Sequence, residues 1–148
     1  MPRHPLGYYL TIATHGHILR GRELESVDDS TPYLLDAARR SVVLETILEV
    51  CDYRGWKPWA VHVRTNQIHA VISNDAPAER VIKDFKAYCG RRLVKKLHEP
   101  RSLPRWATGV AAFHMFEKAE MKAEIAYTLE SLGEPQAIHR WKPPARTG

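Results

Sequence analysis

A chain of 148 residues, 44% hydrophobic and 26% charged, is long enough to bury one sizeable core and too short for two ordinary domains. No apolar run approaches the roughly 20 residues needed to cross a bilayer, and the start has no charged-then-apolar secretory pattern, so a soluble cytoplasmic protein with no membrane partner is expected. The net charge of +5 suits an acidic polymer as partner, while Cys51 and Cys89 are too few and too far apart for a zinc knuckle or a disulfide framework.

In chain order, residues 8–14 alternate as a strand. Asp36 reads as the N-cap of a helix running to about Tyr53, with Ala38, Val42, Val43, Ile47 and Cys51 in its apolar stripe and Gly55 as its stop. Residues 58–73 read as a β-hairpin turning at Arg64-Thr65-Asn66. Asn74-Asp75-Ala76-Pro77 then starts a second helix that buries Val81, Ile82, Phe85, Tyr88, Cys89 and Leu93.

That helix and its exit also carry Lys83, Lys86, Arg91, Arg92, Lys95, Lys96, Arg101 and Arg105, opposed only by Asp84 and Glu99. The clustering fits a solvated helix face or a phosphate-binding surface equally well. Pro100, Pro104 and Gly109 mark a loop, residues 109–116 a further strand, and residues 117–132 a third helix ended by Gly133 and Pro135. One domain is expected over residues 1–135, followed by an extended tail over 136–148. Strand, helix, hairpin, helix, strand, helix implies an α+β sandwich, a mostly antiparallel sheet with helices on one face.

The hairpin's second strand holds the most telling residues. Gln67 and His69 stand two apart and so project from one face. An amide oxygen and an imidazole nitrogen side by side can bind a divalent cation, and they equally describe the wet face of a half-covered sheet. His62, on the first strand, faces His69 across the ladder if the turn is two residues long, which would make it a substitute ligand. His15, His17 and His114 are scattered and read as surface or strand-end residues.

The words Val61-His-Val-Arg-Thr-Asn-Gln-Ile-His-Ala-Val71 resemble the signature of the single-tyrosine HUH transposases, small insertion-sequence enzymes that cut and rejoin single-stranded DNA. Asn66 stands at the family's turn, Ile68 at its apolar position and His69 at its second histidine, whereas Gln67 replaces the first. Residues 8–16, 35–40, 50–56, 76–93 and 126–130 are similar to the family's first strand, first helix and its exit, the helix after the histidine strand, and the tyrosine helix.

The resemblance implies a ferredoxin-like fold, a homodimer, and Mg²⁺ or Mn²⁺ held by His69, Gln67 and, four residues after the tyrosine, Ser131 in place of a glutamine. It implies Tyr127 as the nucleophile that becomes joined to the 5′ end of cut DNA. A phenol with a pKa of about 10 is a poor nucleophile toward an anionic ester, which is why such chemistry recruits a metal. Gln67, Ser131 and the apolar run Val110-Ala111-Ala112 all depart from the family where it concentrates polar groups, so the expected metal site is weakened and the cation weakly bound.

Three functions follow. The first is a transposase-like strand-transfer enzyme acting on single-stranded or hairpin DNA. The second is a non-catalytic descendant that binds such DNA through Lys83, Lys86, Arg91, Arg92, Lys95, Lys96 and Arg105. The third is a ferredoxin-like interaction or ligand-binding module.

Overall fold

A computed structural model describes residues 4–20, 23–26, 32–109 and 111–142. The elements run β1 (Gly7–Ala13), β2 (His17–Arg20), β3 (Glu23–Ser26), α1 (Ala37–Arg54), β4 (Lys57–Val63), β5 (Gln67–Ser73), α2 (Ala78–Leu97), β6 (Ala111–Met115), α3 (Lys118–Glu130) and β7 (Ala137–Arg140). Five strands form one antiparallel sheet in the order β6-β1-β5-β4-β7, and β2 pairs with β3 in a separate ribbon.

The local signals explain the helix ends. Asp36 accepts a hydrogen bond from the Arg39 amide at 2.9 Å, and Gly55 closes α1 in the left-handed region at φ 73°. Glu117 and Glu120 form a reciprocal capping box at the start of α3. Pro77 precedes α2 as its N-cap, where its missing N–H costs nothing.

Alternation along the strands divides the core. Tyr8, Leu10 and Ile12 of β1, Val61 and Val63 of β4, and Ile68, Ala70 and Ile72 of β5 face α1 and α2. Tyr9, Ala60 and Val71 face the other way and pack with Met115 and with Met121 of α3. Gly7 lets α3 approach closely, since a Cβ there would stand 2.8 Å from the Ile72 carbonyl and 2.9 Å from Met121 Sδ. The expected α+β sandwich is thus present, but its helices do not all lie on one face as expected: α1 and α2 form the helix layer and α3 lies across the opposite face, where Tyr9, Ala60 and Val71 offer it an apolar patch.

The domain boundary at residue 135 needs correction. Residues 137–140 form β7, which pairs with β4 from Ala60↔Arg140 to Val63↔Ala137, and Trp141 packs edge-on against Trp59 at 4.8 Å. A four-residue edge strand has too short an alternation to announce itself in sequence. The β2–β3 ribbon escapes a sequence reading for the same reason. Residues 143–148 of the expected tail, and Val110, lie outside the described residues.

Candidate nucleic-acid and strand-transfer site

The β4–β5 hairpin turns where expected and sets its register with His62 opposite His69. Both imidazoles therefore lie on the face that α3 covers. His62 is fully used by the fold: Nδ1 donates to the Thr128 carbonyl at 3.1 Å, and Nε2 accepts the Gln136 amide at 3.1 Å. Burial holds its pKa below the ordinary value, against the opposing effect of the Thr128 bond, so the ring stays neutral. A histidine with both nitrogens engaged joins α3 and β7 to the sheet and does not substitute as a metal ligand.

His69 is 3% exposed, and its Nδ1 lies 2.5 Å from the Tyr9 hydroxyl. Tyr9 also meets the Tyr127 ring edge-on, with centroids 6.1 Å apart. Tyr127, Tyr9 and His69 thus form one chain of contacts within a single protein chain. Tyr127 is half-buried on the flank of α3 that faces β1. Glu124, one turn earlier and also half-buried, shares that flank by the i, i+3 relation.

Gln67, beside Ala13 on the same face, has a buried Oε1 with no hydrogen-bond partner among the described residues. A buried amide oxygen in that condition is a donor of the kind a hard divalent cation takes. Ser131 is exposed at the C-cap of α3, its amide bonded to the Tyr127 carbonyl at 3.0 Å. Among the described residues no three His, Cys, Asp or Glu side chains are grouped to hold a metal. Of the expected ligand set, Gln67 and His69 share this strand face, and any cation held by these two donors would need water or substrate oxygens to complete its shell. For His69 Nε2 to offer its lone pair, Nδ1 must carry the proton and donate to Tyr9.

The basic residues divide into three groups. Arg105 leaves the phosphate-binding set: it is 7% exposed, its Nε donates to Glu99 at 3.0 Å, and its remaining nitrogens donate to the Leu103 and Pro100 carbonyls. Glu99 also accepts Tyr33 Oη at 2.8 Å and Arg39 Nε at 2.7 Å. Burial alone would raise the Glu99 pKa, but these hydrogen bonds outweigh it and hold the carboxyl below its ordinary value. Arg92 pairs with Glu49 and Lys96 lies 3.9 Å from Glu45, so α1 sets a competing carboxylate beside each.

Lys86, Arg91, Lys95 and Arg101 line a groove of about 650 Å³ between α2 and the loop after it, with Trp106 in its wall. Lys83 lines an adjoining hollow that shares Lys86 and Trp106. Lys86 Nζ donates to the Ala107 carbonyl at 3.0 Å, and Trp106 Nε1 donates to the Lys86 carbonyl at 3.1 Å. The groove lies on the helix-layer side of the sheet, away from Tyr127. The loop that walls it reaches the end of β1 through the Thr14↔Trp106 bridge and the Ala107 amide on the Ala13 carbonyl, next to Gln67. Trp106 and Tyr9 are site residues that a sequence reading misses; alternation from Tyr8 can assign Tyr9 its face, but not its partner.

No protein-family model matches the sequence, and no curated protein matches it. Among solved structures, the chain is similar to a REP-associated tyrosine transposase bound to a REP hairpin, with a TM-score of 0.58 and 10% identity over 88% of this chain and 69% of that one. A protein of Deinococcus radiodurans R1 assigned as a transposase has a TM-score of 0.49 and 13% identity, over 83% of this chain and 88% of that one. The likeness at 0.58 is one of backbone architecture: the sheet and its three helices form a transposase-like fold.

Proposed function

We propose that the protein is a transposase-like strand-transfer enzyme for single-stranded or hairpin DNA, with Tyr127 as nucleophile and a weak metal site. The observation that carries this reading is the contact chain from Tyr127 through Tyr9 to His69, on the face that also holds Gln67. The ring contact of Tyr127 with Tyr9 within one chain supports action in cis. The hairpin-bound state of the similar transposase adds support for DNA as the partner.

In the reaction, the Tyr127 phenolic oxygen forms a bond to phosphorus and the bond from phosphorus to the 3′ oxygen of the preceding nucleotide breaks. The phenolic proton passes to solvent, and the released 3′ oxygen is protonated. Strand transfer reverses these steps with a different 3′ hydroxyl, so the phosphotyrosine conserves the bond and no nucleotide cofactor is consumed. Gln67 and His69, with Ser131 as the third donor that the resemblance implies, would hold Mg²⁺ or Mn²⁺ weakly, and the cation would supply charge neutralisation at the phosphate. Tyr9 fixes the His69 ring, and Lys83, Lys86, Arg91, Lys95 and Arg101 hold the flanking backbone.

The test is a labelled single-stranded or hairpin oligonucleotide incubated with millimolar-range Mn²⁺ and resolved under denaturing conditions. A covalent adduct should form and should vanish in Tyr127→Phe. Gln67→His with Ser131→Gln should raise its yield. An adduct that survives Tyr127→Phe excludes this nucleophile. DNA binding with no adduct in any variant leaves the second reading, a non-catalytic DNA-binding protein, which the two-donor site favours.

A further inference from the structure

The flank of α3 turned away from Tyr127 borders an open groove of about 610 Å³. Its walls are aliphatic and aromatic: Leu6, Trp59, Met121, Ile125, Ala126 and Leu129. Leu6 at its lip is 43% exposed. Around the mouth stand Lys57, Lys118, Lys122 and Arg140, and the acid among the lining residues is Glu130. Nothing in the strand-transfer reading uses this surface.

We propose that the groove is a docking site for an acidic, amphipathic helical segment of a partner protein. The lining asks for aliphatic anchors, as when an amphipathic helix lays its apolar face into a groove. The rim asks for carboxylates. Lys118 and Lys122 sit one turn apart on α3, so acidic side chains one turn apart on a partner helix match their spacing. Four exposed cations on the rim repel a basic occupant and favour an acidic one over a neutral one by a modest, salt-dependent margin.

Two other occupants fit less well. A nucleic-acid strand needs ring faces or polar partners for its bases, whereas most of this lining is aliphatic. Trp59 packs edge-on with Trp141, and its N–H is taken by Ser73 Oγ at 2.8 Å. A second copy docked symmetrically through this surface would set Lys118 and Lys122 against their own equivalents.

The test uses the full chain and three fluorescent peptides of roughly 14 residues, four helical turns. Each has leucine along one helical face, and the remaining positions are glutamate, glutamine or lysine. The glutamate peptide should bind about tenfold more tightly than the glutamine peptide, and the lysine peptide should not bind. The Lys122→Glu, Arg140→Glu double variant should lose about tenfold in affinity for the glutamate peptide, and Ile125→Gln should weaken both binding peptides. Both variants are checked by circular dichroism, and the surface charge reversals retain the fold even if Ile125→Gln does not.

Equal affinity for the glutamate and glutamine peptides, or indifference to the charge reversals, overturns the proposal. So does loss of oligo(dT) binding on Lys122→Glu, Arg140→Glu, which would make the groove a nucleic-acid surface. A concentration-dependent dimer in sedimentation that disappears in Ile125→Gln would assign it to a second copy and overturn it equally. Because the charge reversals touch neither Tyr127 nor the α2 groove, adduct formation and peptide binding fail independently in the Lys122→Glu, Arg140→Glu variant.

Discussion

His62 and Glu99 are buried polar residues that serve the fold through opposite charge states, and each leaves a signature in acid. His62 is neutral with its pKa lowered by burial, so its contribution is complete above the ordinary histidine value of 6.5 and is lost as pH falls from there through the lower folded value. Glu99 is ionised with its pKa lowered, so its contribution is complete above 4.5 and is lost below it. Thermal melts across pH should therefore show two successive declines, and His62→Gln should remove the upper one. Glu99→Gln should cost about 3 kcal/mol in denaturant melts, because it leaves Arg105 buried without its counter-charge. A melt profile of the unmodified protein that stays flat from pH 7 to 5 would contradict the role given to His62. The pairing of Gln67 with His69 is legible from period-two spacing alone. The fate of Arg105 is not, since Glu99, six residues before it, is fixed there by Tyr33 and Arg39, which lie 66 and 60 residues from Glu99 in sequence.

Among the elements, α2 shows how far helical pattern reaches. Its buried face is readable except that Tyr88 is only half-buried, beneath the Arg91 guanidinium at 4.6 Å. The opposite face looks uniformly basic in sequence, yet α1 supplies Glu45 and Glu49 to two of its cations, a fact that only the packing of the two helices reveals. Arg91, Lys95 and Arg101 changed together to Ala should weaken binding of a labelled oligonucleotide several-fold and reduce the salt slope by about 0.7 for each phosphate no longer neutralised. The Arg92→Ala, Lys96→Ala pair should change both far less. Equal losses from the two sets, measured by fluorescence titration across salt concentrations, would mean that the groove beside Trp106 is not where the strand lies.

For the whole molecule, strand-and-helix order suffices to read the sandwich, because each long segment carries its own period and caps. The parts that escape are short, β2, β3 and β7, or long-range, such as the placement of α3 on the face opposite α1 and α2. The end of the domain follows from the same shortness. Truncation after residue 135 would remove β7, the Trp141 packing and the amide that His62 accepts. Such a protein should melt at a lower temperature and self-associate through the uncovered β4 edge, as seen by light scattering. A truncated protein that stays monomeric with an unchanged melt would show that residues 136–142 add nothing to the sheet.

The strand order carries a further consequence for how the protein is made. β1 is synthesised first but lies between β5 and β6, whose partners for Tyr9 are Val71 and Phe113. On the ribosome, the run Gly7-Tyr-Tyr-Leu-Thr-Ile-Ala13 must therefore wait, unpaired and largely apolar, while the later hairpin of β4 and β5 closes by local contacts. A slow stretch of translation between residues 14 and 66 would prolong that wait. The yield of folded protein is then sensitive to elongation speed between β1 and the β4–β5 hairpin and to chaperones that shield a bare strand.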